Sequence, residues 1–441
     1  MPAHGRLHRP AEDLDRQDPE IRAARSGPRA ERSEGVTAVT GGFGPLLPEE
    51  RADAAALVRQ GFGIPREYFD RSVELFGPDV MRGLRAGPEA GSTGQLVACA
   101  AVWPMDQWFG GRAVPSCGVA AVAVDPAERG RGYGTALMRS LLEEARAGGA
   151  ALSVLYPATL PVYTRLGFGR GGVSFDWSAP PAALAAGPPP EDGWIRRTDA
   201  SDASQLAALR RSLLTTANGL VERNEGLWSF ALCPDGAPSD VYTLGGPRGL
   251  EGYVAVAPPS DRKLVVADAC LLSPRAVRLA QGFLAGYRAQ VDRVSWRGGP
   301  DDPLVLMAPD SGPRADARDE WLLRILDLRR ALEARGYPPG VAGELTLDVT
   351  DAVIPENSGT FRLRLSDGKA GVDRIPEKTG GGGKAAGSGL SLSIAALAAL
   401  YSGHKGPQIL RQVGLLRGGE DAVALAARFF SGPAPWMPDR F

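Results

Sequence analysis

Apolar residues recur along the chain at two spacings, and the switches between them mark its elements. A short apolar run at Val36–Thr40 reads as a strand. A helical pattern follows from Pro48 to Gln60, with Ala54, Ala55, Leu57 and Val58 on its apolar side. Gly94–Trp103 and Ser116–Val124 read as strands of a hairpin or meander, and Arg131–Ala147 as an amphipathic helix. Ala151–Tyr156 reads as a buried strand, Leu160–Leu166 as a short helix and Val173–Trp177 as a closing strand. Strands mixed with helices in this order predict a mixed α/β sheet over residues 36–180.

The Pro- and Ala-rich stretch Pro180–Pro190 reads as a linker, after which the pattern starts again. Trp194–Arg197 is strand-like, Asp202–Thr215 helical, and Val241–Leu244, Gly252–Ala257 and Leu264–Ala269 are strand-like. A helix at Pro274–Gln290 and a strand at Val294–Trp296 complete a second unit over 190–305, an α/β domain related to the first or independent of it. From 310 to 441 the pattern changes to a strand-like Leu322–Leu326, a helix through Leu328–Leu332, and alternating strands at Glu344–Thr350 and Thr360–Ser366. A loop at 376–389 precedes helices at Ile394–Tyr401 and Asp421–Phe430, an α+β pattern.

Composition narrows the chemistry. With 441 residues, 44% apolar and 23% charged, the chain fits two to three globular domains, and a net charge of −1 supplies no field to recruit nucleic acid or an acidic membrane. Cys99, Cys117, Cys233 and Cys270 are scattered without metal spacing and read as thiols of a reducing cytosol, so the protein is expected to be cytoplasmic, with no metal. The histidines are His4, His8 and His404, which makes a serine–histidine triad or a histidine-ligated metal improbable. No apolar run reaches the roughly 20 residues of a membrane span; Leu390–Leu400 reads as a buried helix. Residues 1–35 lack an apolar signal region and read as a disordered tail.

The strongest local signal is Val122-Ala-Val-Asp-Pro-Ala-Glu-Arg-Gly-Arg-Gly-Tyr-Gly-Thr-Ala-Leu137. A short strand leads through an arginine- and glycine-rich turn into a helix. Gly130, Gly132 and Gly134 let backbone approach a ligand, the helix-opening amides point at one spot, and Arg129 and Arg131 add charge, which together make an anion cradle. The dinucleotide fingerprint does not match, because Thr135 and Ala136 follow Gly134. Gly380–Lys384 lacks the Ser or Thr and the preceding strand of a phosphate loop.

The spacing Arg129-x-x-Gly132-x-Gly134 resembles the pyrophosphate signature of the GNAT N-acetyltransferases, which bind acetyl-coenzyme A. The arrangement of one cradle-bearing unit, a second unit without a cradle, and a sterol-carrier-like tail resembles the enhanced-intracellular-survival (Eis) acetyltransferases over residues 36–441. Val162-Tyr-Thr-Arg-Leu-Gly-Phe-Gly169 and the aromatic Phe441 add to the likeness. The resemblance implies two tandem GNAT-like domains and a sterol-carrier-protein-like domain, acetyl-CoA as donor, amine acceptors including aminoglycosides, and a hexamer.

Acetyl transfer to an amine needs a held thioester, a deprotonated amine and a proton for the leaving thiolate. Val122, Ala123 and Val124 can offer backbone groups to the pantetheine arm as an added strand would. By resemblance, one of their amides polarises the thioester carbonyl and Gly130, Arg131, Gly132, Tyr133, Gly134 and Thr135 hold the pyrophosphate. Ala158 and Thr159 are further candidate donor contacts. Tyr163 is the candidate general acid, its phenol protonated at neutral pH; Tyr133 and Tyr156 fit the role less well.

No histidine is available as base. The proline-stiffened ending Pro433–Phe441 reads on its own residues as a frayed terminus, whereas the resemblance makes the α-carboxylate of Phe441 the base. Asp439 and Arg440 mix charges there, and Arg440 weakens the case for a polycationic acceptor. Tyr68, Phe69, Phe76, Trp103, Trp108 and Phe109 are candidates to wall the amine site or to fill core. A protein-lysine acetyltransferase and a non-catalytic lipid-binding scaffold stand as alternatives.

Overall fold

The computed structural model describes residues 41–440 apart from 88–93, 186, 199–202, 235 and 377–388. The tail at 1–35, the strand at Val36–Thr40, the Gly380–Lys384 run and Phe441 lie outside the described residues.

The first unit opens with β1 (Gly41–Pro45), α1 (Arg51–Phe62) and α2 (Arg66–Phe76). It continues through β2 (Met81–Ala86), β3 (Gln95–Phe109), β4 (Arg112–Val124), α3 (Tyr133–Ala147), β5 (Leu152–Leu155), α4 (Leu160–Arg165) and β6 (Gly169–Ala179). Helix α1 buries the apolar side expected of it, Ala54, Ala55, Leu57 and Val58, and stops where Gly63 turns left-handed at φ 70°. Helix α2 and strand β2 have no counterpart in the sequence reading.

The second unit runs β7 (Trp194–Thr198), α5 (Ala203–Leu214), β8 (Val221–Glu222), α6 (Glu225–Leu232), β9 (Asp240–Gly246), β10 (Gly249–Val256) and β11 (Lys263–Leu271). It ends with α7 (Pro274–Ala285), β12 (Arg293–Gly298), α8 (Pro303–Leu306) and β13 (Arg314–Ile325). Alternating burial along β11 puts Leu264, Val266 and Cys270 inward, as the period of a strand requires.

The two units share one sheet. Its path is β1-β2-β3-β4-β5-β13-β6-β12-β11-β10-β9-β7, with β8 on β3. Strand β13, which closes the second unit in sequence, fills the gap between β5 and β6 of the first. In return, the end of β6 (Phe175–Ala179) pairs with β12 of the second. The sequence reading put Leu322–Leu326 at the head of the C-terminal unit; here that run is the buried half of β13, and the C-terminal unit begins after it. Trp321, fully buried, lies so close to β6 that a Cβ at Gly171 or Gly172 would stand 2.2 or 2.5 Å from its ring. Glycine at both positions is therefore a packing requirement.

The third unit comprises α9 (Leu328–Ala334), β14 (Gly343–Thr350), β15 (Gly359–Ser366), β16 (Lys369–Ile375), β17 (Gly389–Ser393), α10 (Ile394–Tyr401), α11 (Pro407–Gln412), β18 (Leu416–Gly418) and α12 (Glu420–Phe429). Its sheet has the order β16-β15-β14-β17-β18. Leu390–Leu400 is not one helix: the run to Ser393 is β17, and α10 starts where the Ser393 hydroxyl accepts from the Ala396 amide at 3.2 Å. Beyond α12 the chain returns to the first two units. The Val173 amide donates to the Pro435 carbonyl at 3.2 Å, and the Trp436 amide to the Asn218 carbonyl at 3.0 Å. No helix of the described residues is long and apolar enough to cross a membrane.

Candidate functional site

Strands β4 and β5 are paired only at Ser116–Gly118 with Leu152–Val154. Beyond that ladder, Val119–Val122 on one side and Leu155–Ala158 on the other line a largely apolar cavity of about 680 Å³. A bulge marks the opening. Ala121 and Val122 of β4 stand opposite the single residue Ala100 of β3, and Ala121 takes φ 50°, rare for a residue with a side chain. The extra residue drops out of the ladder, so backbone at Ala121–Val122 is available to a ligand. Apolar spacing alone carried no sign of it.

The cradle follows directly. The Asp125 carboxylate accepts from the Ala127 amide at 2.9 Å and sets the turn after β4. Gly130 and Gly132 both take the left-handed region, at φ 82° and 88°, and Gly132 is the N-cap of α3. The first amides of α3, those of Tyr133, Gly134 and Thr135, have no acceptor inside the helix, and no acidic residue occupies its first turn. A Cβ on Gly134 would lie 3.3 Å from the Val124 side chain, so glycine lets the helix start press on the strand end. Val122 lines the cavity, Ala123 is buried in the core, and Val124 packs against the α3 cluster, so the three do not act alike. Arg131 is largely exposed and pairs with Glu128 at 2.9 Å. Tyr133 is half-buried against the α3 core.

Tyr163 lies on α4, 7% exposed, on the same cavity as Val122. Its ring meets Phe168 edge-on at 5.8 Å, and burial pushes its phenol above the ordinary value, so it holds its proton at neutral pH. Ala158 lines the cavity; Thr159 is exposed at the N-cap of α4. Tyr156 is engaged elsewhere: its hydroxyl donates to the Met437 carbonyl at 2.7 Å.

Met437 is fully buried, and its carbonyl also accepts from the Ser174 hydroxyl at 2.7 Å. Asp439 is buried against Arg223 and Arg210. Arg440 donates to Asp176 at 2.8 Å and to Asp319 at 2.6 Å, and lines the cavity. The C-terminal segment is thus docked as far as the residue before Phe441, not frayed.

Of the candidate aromatics, Tyr68, Phe69 and Trp103 line the cavity, and Phe76 stacks on Trp103 at 4.5 Å. Trp108 and Phe109 do not: Trp108 donates to Glu222 at 2.9 Å, and Phe109 packs edge-on against Tyr401 at 5.3 Å. The sequence reading missed the charged wall. Arg318, Asp319 and Glu320 of β13 line the cavity because β13 is inserted beside β5, and no local motif announces that insertion. His404, remote in sequence, places Nε2 3.4 Å from the Glu320 carboxylate. Burial and the nearby cations Lys405, Arg318 and Arg170 push its pKa down to about 4. Cys99, Cys117 and Cys270 are buried thiols pushed up to about 12, 11 and 12 by burial, and inert at neutral pH.

Family models match in three places: an acetyltransferase (GNAT) domain at residues 45–171, a second at 219–325, and a sterol carrier protein domain at 328–438. The chain is similar to an uncharacterized N-acetyltransferase of Streptomyces griseus, 31% identical over 75% of this chain and 83% of that one. It is similar to the N-acetyltransferase Eis of Mycobacterium tuberculosis, 27% identical over 58% of this chain and 65% of that one. A crystal structure of a GCN5-related N-acetyltransferase from Anabaena variabilis superposes with a TM-score of 0.83 at 29% identity, covering 91% of this chain and all of that one.

Proposed function

The chain belongs to the Eis-like GNAT N-acetyltransferases, and on that premise we propose that it transfers acetyl from acetyl-coenzyme A to primary amines, with Tyr163 as general acid and the Phe441 α-carboxylate as general base. One observation carries the reading: the bulge at Ala121–Val122 and the buried phenol of Tyr163 line one cavity. The residues fit the donor. The amides of Tyr133, Gly134 and Thr135 have no acceptor within α3, and the open space around left-handed Gly130 leaves room for its diphosphate. When bound, acetyl-coenzyme A supplies the acetyl group; its carbon–sulfur bond breaks as the nitrogen–carbon bond forms, and its sulfur leaves needing a proton.

The chain's residues do the rest. Backbone at Val122 orients the thioester carbonyl and stabilises charge on its oxygen. Tyr163 hands its phenolic proton to the departing sulfur, which a buried neutral phenol can do and a carboxylate at neutral pH cannot. The amine loses a proton to the base. In support of Phe441 in that role, its neighbour Arg440 is anchored on the cavity wall. Removal from water raises a carboxylate's basicity above that of a free terminus.

Calorimetry with acetyl-CoA, followed by thiol release on adding a primary amine, tests the reading. Micromolar binding and amine-dependent release are expected. Absence of binding overturns the donor, and binding without release for any amine overturns the reaction.

A further inference from the structure

The second unit repeats the strand geometry of the first unit's site and leaves out its cradle. Strands β11 and β12 run parallel and pair only at Lys263–Val266 with Arg293–Trp296. A bulge follows that ladder, as one does in β4: Val266 and Asp268 stand opposite adjacent residues of β10, so Ala267 drops out of register. The strands then part around a cavity of about 200 Å³ that has no lining residue in common with the cavity of Tyr163. Helix α7, the counterpart of α3, opens on Pro274, which has no amide hydrogen, and the Ser273 hydroxyl accepts from the Ala276 amide at 3.1 Å. Arg275 is held by Asp192 and Glu251, each at 2.6 Å. This helix start has nothing left for a diphosphate, so the split is not built for a coenzyme A thioester.

The cavity is built around a carboxylate instead. Asp302 lines it, 8% exposed, and no arginine, lysine or histidine pairs with it among the described residues. Burial pushes its carboxyl up to about 6, so at neutral pH it is ionised with no cation opposite. A side chain at Gly298 would collide with this carboxyl, so glycine is what lets it close on the end of β12. The other charges at the cavity are engaged or exposed: Asp268 is held by Arg223 and the Tyr253 hydroxyl, Arg297 by Asp176 and Asp319, and Asp301 lies at the surface. Two indoles line the same space. Trp296 is 5% exposed, and its N–H makes no hydrogen bond of normal geometry. Trp436 comes from the C-terminal segment, and a Cβ on Gly299 would stand 2.7 Å from its ring. An ionised carboxylate buried without a partner is costly as packing. The same carboxylate beside indoles suits a cation, which neutralises it and is attracted to the ring faces. The volume is below the roughly 300 Å³ at which sites for drug-sized ligands begin, so the occupant has few heavy atoms.

We propose that the split of the second unit is a second ligand site, for a small monocationic ammonium compound, with Asp302 as its counter-ion and the indoles of Trp296 and Trp436 against its alkyl groups. The ligand is bound and not transformed. The site stands apart from the acetyl transfer proposed above and does not rest on it.

The test uses the full chain without acetyl-CoA. Choline is the probe, and 3,3-dimethylbutan-1-ol, which carries carbon in place of the nitrogen and no charge, is its isostere. Calorimetry and tryptophan fluorescence at pH 7.5 are expected to give choline a dissociation constant of about 1 mM or lower, and the isostere one at least tenfold higher. Asp302→Asn is expected to weaken choline at least tenfold, whereas Asp301→Asn, at the exposed neighbour, is expected to stay within twofold of the parent. Absence of choline binding overturns the proposal, as does equal binding of the isostere. Unchanged affinity in Asp302→Asn places the cation elsewhere and overturns it too. The isostere comparison is made on the parent chain, so it decides even if the variant does not fold.

Discussion

Arg223 donates from Nε to the Asp439 carboxylate at 2.5 Å, and both side chains are almost wholly removed from water. Arg210 reaches the other oxygen at 3.1 Å, while Arg223 also holds Asp268 at 2.6 and 3.0 Å and the Tyr253 hydroxyl donates to Asp268 at 2.6 Å. Two arginines and two aspartates balance within the second unit, and one of the four comes from the C-terminal segment. The unit without a cradle therefore has a physical part in the site: it seats the segment that carries Arg440 into the cavity wall.

Asp439→Asn tests that seat. It keeps the shape and removes the charge, leaving Arg210 and Arg223 short of a counter-ion. Unpairing a buried charge costs about 3–5 kcal/mol. Turnover is expected to fall more than tenfold, with the dissociation constant for acetyl-CoA within twofold, because the cradle is in the other unit. Unchanged turnover would show that tail docking and catalysis are independent.

Two of the cavity tyrosines, Tyr163 and Tyr156, separate by partner. Tyr163→Phe removes the proposed acid and is expected to lower kcat by roughly 100-fold or more while leaving donor affinity intact. Tyr156→Phe removes a hydrogen bond to Met437, a loss of about 1 kcal/mol, and is expected to lower kcat much less. Steady-state kinetics on both variants, with calorimetry for the donor, decides. Larger loss in Tyr156→Phe would reassign the acid.

The glycine turn ahead of α3 and the short helix that carries Tyr163 were legible because they are local: the glycines, the strand before them and the helix after them are contiguous in sequence. Strands β3, β4 and β6 were legible for the same reason, since each carries its own apolar pattern. The charged wall was not. Arg318, Asp319 and Glu320 are consecutive polar residues of an ordinary strand, and they reach the cavity only because β13 crosses into the first unit. The bulge at Ala121 was also hidden, because a positive φ on alanine is set by the strand register and not by composition. His404 came to Glu320 across 84 residues of chain, beyond any spacing argument.

Gly132→Ala probes the cradle. At φ 88° a side chain costs about 1–2 kcal/mol, so the turn is expected to relax and re-aim the amides that open α3. The dissociation constant for acetyl-CoA is expected to rise about tenfold or more, with the melting temperature lowered by a few degrees at most. Wild-type donor affinity in a folded variant would remove Gly132 from the site.

Three residues appended after Phe441 test the base. Arg440 stays on Asp176 and Asp319 in such a variant, so stability and donor affinity are expected to be unchanged. The carboxylate, however, is moved away and replaced by an amide that cannot take a proton. Turnover is expected to fall more than 100-fold. Full activity with the extension would exclude the terminal carboxylate.

Asp302 makes stability depend on pH in the direction opposite to most carboxylates. It caps α8, accepting from the Leu304 amide at 2.9 Å, and burial pushes its pKa from the ordinary 3.8 to about 6. Between those values the folded protein holds a proton that the unfolded chain has released. Its stabilising contribution is complete below about 3.8 and is lost as pH rises through about 6. Above that the ionised carboxylate is buried at a cost on the order of 1–3 kcal/mol. Asp302→Asn keeps an oxygen for the Leu304 amide and cannot ionise. The variant is expected to melt a few degrees above the parent at pH 7.5, with the gap closing by about pH 4 as the parent's own carboxyl takes up its proton. Melting curves across that range are the check, and a gap that does not change with pH would show that Asp302 keeps an ordinary pKa in the folded protein.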